Sequence, residues 1–123
     1  MHNHPNVAEL VQAVKLFVDK TAAPNLSGHA AFHARVASNV LATILRDLEA
    51  RPAAESSERT RLQALLRSDE RDLDTLNREL CTKIQVGDVS AESAGLLEHL
   101  KATTIAQVKV DQPRYSGLKT ALD

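Results

Sequence analysis

The chain has 123 residues, of which 43% are hydrophobic but only 2% aromatic. Its 15 Lys and Arg residues against 16 Asp and Glu residues leave a formal net charge of −1. A core made of Leu, Val, Ile and Ala favours packed helices over a β-sandwich or barrel. The balanced charge also argues against the basic surface that nucleic acids require, so we expect no nucleic-acid partner.

The single cysteine, Cys81, excludes an internal disulfide and fits a reducing compartment. No apolar run approaches the roughly 20 residues that cross a bilayer, and the start MHNHPN lacks the features of a signal peptide. These features predict a cytoplasmic protein that does not use a membrane. Cys81 itself is expected to be a small buried hydrophobe.

The first predicted helix begins at a cap provided by Asn3 or Asn6 and runs to about Lys20. Pro24 and the following Ser-Gly pair end it. Its apolar stripe contains Val7, Leu10, Val11, Val14, Phe17 and Val18.

The second predicted helix spans about residues 29–50 and is the most apolar. Large apolar residues recur at every fourth position, which indicates one apolar face of a helix. These residues are Phe32, Val36, Val40, Ile44 and Leu48. His33 falls within this arc, Asn39 at its margin and Arg35 just beyond it.

A third helix is predicted to begin at Pro52, because a proline lacks the N–H group that has no partner in a first turn. A turn at Ser68 and Asp69 precedes a fourth helix, and Gly87 is suited to end it in a left-handed conformation. The apolar stripes are Leu62, Leu65 and Leu66 in the third helix, and Leu73, Leu76, Leu80 and Ile84 in the fourth.

A fifth helix is predicted from an N-cap at Ser90 to Pro113, with an irregular tail over about residues 111–123. Its expected stripe is Leu97, Leu100, Thr104 and Val108. Short loops imply antiparallel neighbours. The sequence therefore predicts one all-α domain over residues 1–123, a compact up-and-down bundle of four to five helices.

The polar residues His33, Arg35 and Asn39 on the second helix have two interpretations. In the first, His33 is a core histidine bonded to a carboxylate or carbonyl, and Asn39 fixes helix register or partner choice. In the second, the three residues line a cleft that binds a ligand, with Arg35 holding an anion and His33 acting as an acid or base.

A metal site has only weak support. His29 and His33 are four residues apart and share a helix face, as two ligands would. The glutamate of an HExxH motif is absent, and no spacing identifies a third ligand among Asp47, His99, or His2 with His4. We therefore expect no metal and no cofactor.

The tail sequence Pro113-Arg114-Tyr115-Ser116-Gly117 contains the only tyrosine. Arg114 and Tyr115 have the composition of an interface hot spot. Alternatively, Tyr115 folds back and covers an open end of the bundle.

Enzyme motifs are missing: there is no glycine-rich phosphate loop, GxSxG, CxxC, calcium loop or paired ExxH motif. We assign no catalytic residue, and the sequence leans against an enzyme.

Three segments, HPNVAELVQAV, AFHARVASNVLA and LLEHLKATTIAQVKVDQPRYSG, give the chain a resemblance to a small bacterial family of helical proteins of uncharacterised function. The resemblance covers nearly the whole chain and departs from it at Gln112, where the family pattern suggests Asn. Its members are often encoded beside acyl-CoA dehydrogenase-like and aminoglycoside-phosphotransferase-like enzymes. This implies association with such an enzyme rather than any chemistry.

Two functions follow as hypotheses. The first is a non-catalytic accessory or interaction protein that associates with a larger metabolic enzyme or, as a homo-oligomer, with itself. The second is a small-molecule binding module or cryptic enzyme with a pocket around His33, Arg35 and Asn39. Its ligand would be an acyl-CoA or a phosphorylated metabolite.

Overall fold

A computed structural model describes residues 4–123; the predicted cap Asn3 and the possible ligand His2 lie outside this range. Five α-helices account for most of the described chain, and no strand occurs between residues 4 and 123. The all-α prediction is confirmed. The helices are α1 (Val7–Phe17), α2 (Gly28–Leu66), α3 (Leu73–Gln85), α4 (Leu96–Asp111) and α5 (Gly117–Leu122).

The chain divides into two compact units, which we call the N-terminal unit (residues up to Ala50) and the C-terminal unit (Arg51–Asp123). The boundary falls within α2.

The N-terminal unit begins with the predicted cap at Asn6, which the structure confirms. Asn6 Oδ1 accepts a hydrogen bond from Glu9 N at 2.9 Å, and Glu9 Oε2 accepts one from Asn6 N at 2.7 Å. This reciprocal capping box satisfies two N–H groups that the helix start would otherwise leave unpaired. The helical path continues from α1 through a π-helical turn, Val18–Ala22, and a 3₁₀ turn, Ala23–Asn25.

The two helical segments of this unit each carry a half-buried stripe with alternating spacings of three and four residues, which is typical of paired helices. Asp19 and Ser38, one from each segment, share a side-chain hydrogen bond. The stripes consist of Ala8, Val11, Lys15, Val18 and Ala22 in the first segment, and of Ala31, Ala34, Ser38, Leu41 and Leu45 in α2.

The predicted apolar face of the second helix is not the face that these segments bury. All five residues of that row, from Phe32 to Leu48, are exposed. Four residues advance a helix by about 40° beyond a full turn, so such a row winds around the helix instead of following one side. The half-buried stripe of α2 instead contains the small residues Ala31, Ala34 and Ser38, followed by Leu41 and Leu45.

The second and third predicted helices form one continuous helix of 39 residues, α2, with Pro52 in its interior. The prediction of a break there is wrong. Proline removes one helical hydrogen bond, but its φ angle is compatible with a helix, so the helix continues. Helix α2 instead ends before Arg67, whose φ of 52° is left-handed.

The C-terminal unit has the buried core of the described chain. Six of its buried side chains form one cluster, with Leu65 and Leu73 packed against it. The cluster comprises Leu62, Leu66, Leu76, Leu80, Val89 and Leu96. The predicted stripes of this region are therefore confirmed, except for Ile84, which is exposed.

Local signals placed both ends of α3 well. Asp72 caps the start, since its Oδ2 accepts hydrogen bonds from Thr75 N at 2.8 Å and Thr75 Oγ1 at 2.7 Å. The left-handed glycine predicted after the helix is confirmed, because Gly87 has a φ of 83°.

Helix α4 begins at Leu96, not after an N-cap at Ser90. Ser90 instead belongs to a turn, in which Ser90 N donates to Ser93 Oγ and Ser90 Oγ to Glu92 Oε2. The predicted stripe is also wrong at three of its four positions: Leu97, Leu100 and Thr104 are exposed, whereas Val108 is half-buried. The buried positions of α4 are Leu96, His99 and Val110, and its half-buried positions are Ala102, Thr103, Ile105, Ala106 and Val108.

The end of the chain differs in part from the prediction. Helix α4 ends at Asp111, as expected from Pro113, but the tail contains the short helix α5, and Leu118 is buried. Cys81 is exposed, so its assignment as a buried hydrophobe is wrong. Within residues 4–123, no helix is both long and apolar enough to cross a membrane.

Candidate functional site

A cavity of about 320 Å³ lies within the C-terminal unit, where α2 faces the start of α4. Arg61, Ala64 and Leu65 contribute its wall from α2. The segment leading into α4 contributes Ala94, Gly95, Glu98 and His99. The cavity is open to solvent on one side and mainly apolar, with an arginine, a glutamate and a histidine as its ionisable groups.

Arg61 is half-buried and incompletely paired. Its Nη2 donates a hydrogen bond to Thr103 Oγ1 at 3.3 Å, while its buried Nε has no hydrogen-bond partner. A buried donor without an acceptor costs about 1–3 kcal/mol relative to a satisfied one. The guanidinium group therefore has unused hydrogen-bonding capacity beside the cavity.

His99 is the one polar residue among the fully described side chains that is buried, with 3% of its surface exposed. Its Nδ1 has no hydrogen-bond partner. Burial lowers the pKa of His99, the nearby charge of Arg61 lowers it further, and Glu58 opposes both effects. At neutral pH the imidazole is therefore neutral, with one ring nitrogen as a donor and the other as an acceptor.

The start of α4 forms part of the cavity lining. Gly95 precedes the helix with a φ of 90°, a left-handed conformation that favours glycine, and no side chain caps the helix. Uncapped N–H groups and the helix dipole both favour a negative group at this position. Together with Arg61, the helix start gives the cavity two positive features.

Two carboxylates near the opening of the cavity reduce its preference for negatively charged groups. Glu98 lines it with an exposed side chain, and Glu58 lies close enough to influence His99. Asn77 Nδ2 on α3 donates a hydrogen bond to Glu58 Oε1 at 3.1 Å, so this carboxylate of α2 is held beside α3.

The residues that the sequence singled out on the second helix lie elsewhere, in the N-terminal unit. His33, Arg35 and Asn39 are exposed on α2, and none lines the cavity described above. The interpretation of His33 as a core histidine is wrong; its ring meets Phe32 edge-on, with centroids 5.6 Å apart. As candidate interface residues all three remain accessible.

The remaining sequence candidates are also at the surface. His29 is exposed, and no group of three or more His, Cys, Asp or Glu side chains among residues 4–123 is placed to hold a metal ion. His4 Nδ1 lies 3.4 Å from Glu9 Oε2. In the tail, Arg114 is exposed and Tyr115 is 55% exposed, so the tyrosine does not fold into a core.

Sequence reasoning did not select Arg61 and His99 as a site. His99 was considered only as a candidate third metal ligand, and Arg61 was not singled out. The available signal was the alternative stripe of α4, which contains His99 among apolar residues. No local pattern connects that stripe to Arg61, because the two residues meet only through the tertiary fold.

The described residues form an all-α protein with exposed apolar residues in its N-terminal unit and a small cavity in its C-terminal unit. No recognisable catalytic arrangement occurs among these residues. The chain belongs to the family described as a domain of unknown function (DUF6285), whose model matches residues 24–115. The match includes the whole of α2, α3 and α4 and the whole cavity, while α1 precedes it. No curated protein and no solved structure matches the chain.

Proposed function

We propose that the chain is a non-catalytic interaction protein that associates with a second copy of itself through its N-terminal unit. The supporting observation is a set of nine large apolar residues with 36–61% of their surface exposed. We call these residues the apolar face. They are Val7, Leu10, Val14 and Phe17 of α1, and Phe32, Val36, Val40, Ile44 and Leu48 of α2.

The spacing of the apolar face on α1 resembles that of the half-buried stripe. Val7, Leu10, Val14 and Phe17 follow spacings of three, four and three residues, beside the stripe that begins at Ala8. A helix with two adjacent stripes is suited to two helical neighbours, as in a four-helix bundle. One neighbour comes from the same unit, and we propose that the second comes from another copy.

The total area of the apolar face is large enough for a stable dimer, but its α2 row winds around the helix, so only part of that row enters a single interface. With roughly 150–200 Å² of accessible surface for a large apolar residue, nine residues at about half exposure present on the order of 700 Å². Stable complexes bury about 800 Å² on each partner. Soluble monomers rarely expose an apolar area of this size without a function.

Charge favours a second copy over a strongly charged partner. The sequence up to Ala50 has equal numbers of basic and acidic residues. A two-fold interface places the same surface on both sides, so a strongly charged unit would repel itself, whereas a balanced one does not. The basic residues are Lys15, Lys20, Arg35 and Arg46, and the acidic ones are Glu9, Asp19, Asp47 and Glu49.

Sedimentation equilibrium tests the proposal. We expect a mass of twice the 13.4 kDa of the chain at tens of micromolar. Combining Val14→Asp with Val40→Asp should give a monomer, because a dimer would have to bury the new charges in its interface. Helicity should be unchanged, because both residues are exposed. Val86→Asp is the matched control, since Val86 is exposed but lies outside the apolar face. A monomeric wild type, or a dimer that tolerates the paired substitution, would overturn the proposal.

The same experiment separates the other partners. The wild type could be monomeric and bind an acyl-CoA dehydrogenase-like or phosphotransferase-like enzyme through Val14 and Val40. In that case the partner of the apolar face would be that enzyme and not a second copy. Arg114→Ala with Tyr115→Ala tests the tail in parallel, and we expect these changes to leave the dimer intact. Cytoplasmic localisation is part of the proposal, supported by the single free cysteine.

A further inference from the structure

We propose that the cavity between α2 and the start of α4 binds a small aliphatic carboxylate. This site lies in the C-terminal unit and does not depend on the proposed self-association. The carboxylate group would contact Arg61 and the first turn of α4, and the aliphatic part would contact Ala64, Leu65 and Ala94.

Two independent features identify this end of the cavity as polar. The first is the start of α4, where no side chain caps the helix and the N-cap residue, Gly95, has no side chain to cover the backbone N–H groups. The second is the nearly buried His99, which lines the cavity and has a ring nitrogen without a hydrogen-bond partner. Both features lie on the lining of the same cavity, so a polar group of a ligand would be placed at this end of it.

The chemistry of the walls favours a carboxylate over other anions. Arg61 contributes one positive charge, and its planar guanidinium group is suited to two parallel hydrogen bonds with a carboxylate. Glu98 on the same lining and Glu58 beside it contribute negative charge. Because two carboxylates lie near one guanidinium group, a dianion such as phosphate is repelled more strongly than a monoanion.

The size of the cavity restricts the ligand to a small molecule. Its volume of about 320 Å³ is at the lower end of ligand sites, which span roughly 300–1,000 Å³. Because most of the lining is apolar, a short hydrocarbon chain fits better than a sugar or a nucleotide.

Titration with butyrate, followed by the backbone amide signals of an ¹⁵N-labelled protein, tests this site. We expect saturable shifts centred on Leu97, Glu98 and His99, with much weaker responses to 1-butanol and to inorganic phosphate. A response to butanol equal to that of butyrate would show an apolar cavity without a carboxylate site. The absence of a saturable response to butyrate would also overturn the proposal.

Substitutions of the two charged groups should act in opposite directions. Arg61→Met should weaken butyrate binding by at least about tenfold, since it removes charge-assisted hydrogen bonds. Glu98→Gln should strengthen it, because it removes a negative charge from the lining. Arg78→Met is the matched control, as Arg78 is exposed on α3 and lies outside the lining. Since Glu98 is exposed, Glu98→Gln should not impair folding, and unchanged binding in that variant would contradict the proposal even if Arg61→Met does not fold.

Discussion

Arg61 of α2 and Thr103 of α4 are joined by a hydrogen bond from Arg61 Nη2 to Thr103 Oγ1 at 3.3 Å. Both side chains are half-buried, and this contact links the two helices beside the cavity. It is also the one hydrogen bond described for the guanidinium group. The Thr103 hydroxyl thus accepts a hydrogen bond from another helix.

Thr103→Val should destabilise the protein by about 1–2 kcal/mol, because it removes the acceptor from a half-buried cation while preserving side-chain shape. Urea unfolding followed by circular dichroism measures this change. Thr104→Val is the control, since Thr104 is exposed on the same helix and its substitution should change the free energy of unfolding by less than about 0.5 kcal/mol. Equal effects of the two substitutions would show that the contact with Arg61 does not contribute to stability.

Leu62 and Leu97 provide a second comparison, because the sequence placed both on packing faces. Leu62 is completely buried, whereas Leu97 is 60% exposed. Leu62→Ala should cost about 2–5 kcal/mol, since it removes methyl groups and leaves a cavity, and Leu97→Ala should cost less than about 0.5 kcal/mol. Thermal and urea unfolding of both variants check these values. A large loss in Leu97→Ala would instead support the stripe predicted from the sequence.

The contrast between these residues shows which parts of the fold the sequence could predict. Features set by neighbouring residues were predicted correctly, as at the cap Asn6 and the left-handed Gly87. The phase of α4 was not, because apolar residues occupy two adjacent stripes and periodicity alone does not select between them. Only the packing of Leu96 into the core determines that His99 faces inward.

The same reasoning applies to the functional surfaces. The sequence identified the apolar row from Phe32 to Leu48, but it could not show that smaller residues such as Ala34 and Ser38 form the half-buried stripe. It also suggested a ligand site near His33, whereas the cavity lies beside His99. His99 and Arg61 are far apart in the sequence and close together only in the folded protein. No periodic pattern connects them, so the pair could be recognised only from the fold.

His99 should make stability depend on pH in a defined direction. Burial lowers the pKa of His99 in the folded protein below its usual value, so the unfolded chain binds its proton more readily. Stability attributable to this residue is therefore complete above about pH 6.5 and decreases as the pH falls from there towards the lowered pKa of the folded state. Urea unfolding between pH 7.5 and 5 should show this loss.

His99→Leu should remove most of that dependence, because leucine does not titrate and suits a buried position. Some carboxylates also have a lowered pKa, namely Asp19, Asp72 and Glu92. Their contribution to the free energy of unfolding is lost only at lower pH, so it should change little within the chosen pH window. A variant with the same slope as the wild type would assign the pH dependence to other groups.

Tyr115 and Gly117 allow a spectroscopic prediction. A Cβ atom at Gly117 would lie 2.5 Å from Cε1 of the Tyr115 ring, which is closer than the two atoms can approach. Gly117→Ala should therefore displace the exposed ring without unfolding the core. Since Tyr115 is the only tyrosine and the chain has no tryptophan, its fluorescence reports this movement directly. We expect increased quenching of that fluorescence by acrylamide at unchanged helicity, and Lys119→Ala, at an exposed position of α5, is the control. Identical quenching of wild type and Gly117→Ala would show that the ring does not rest on this glycine.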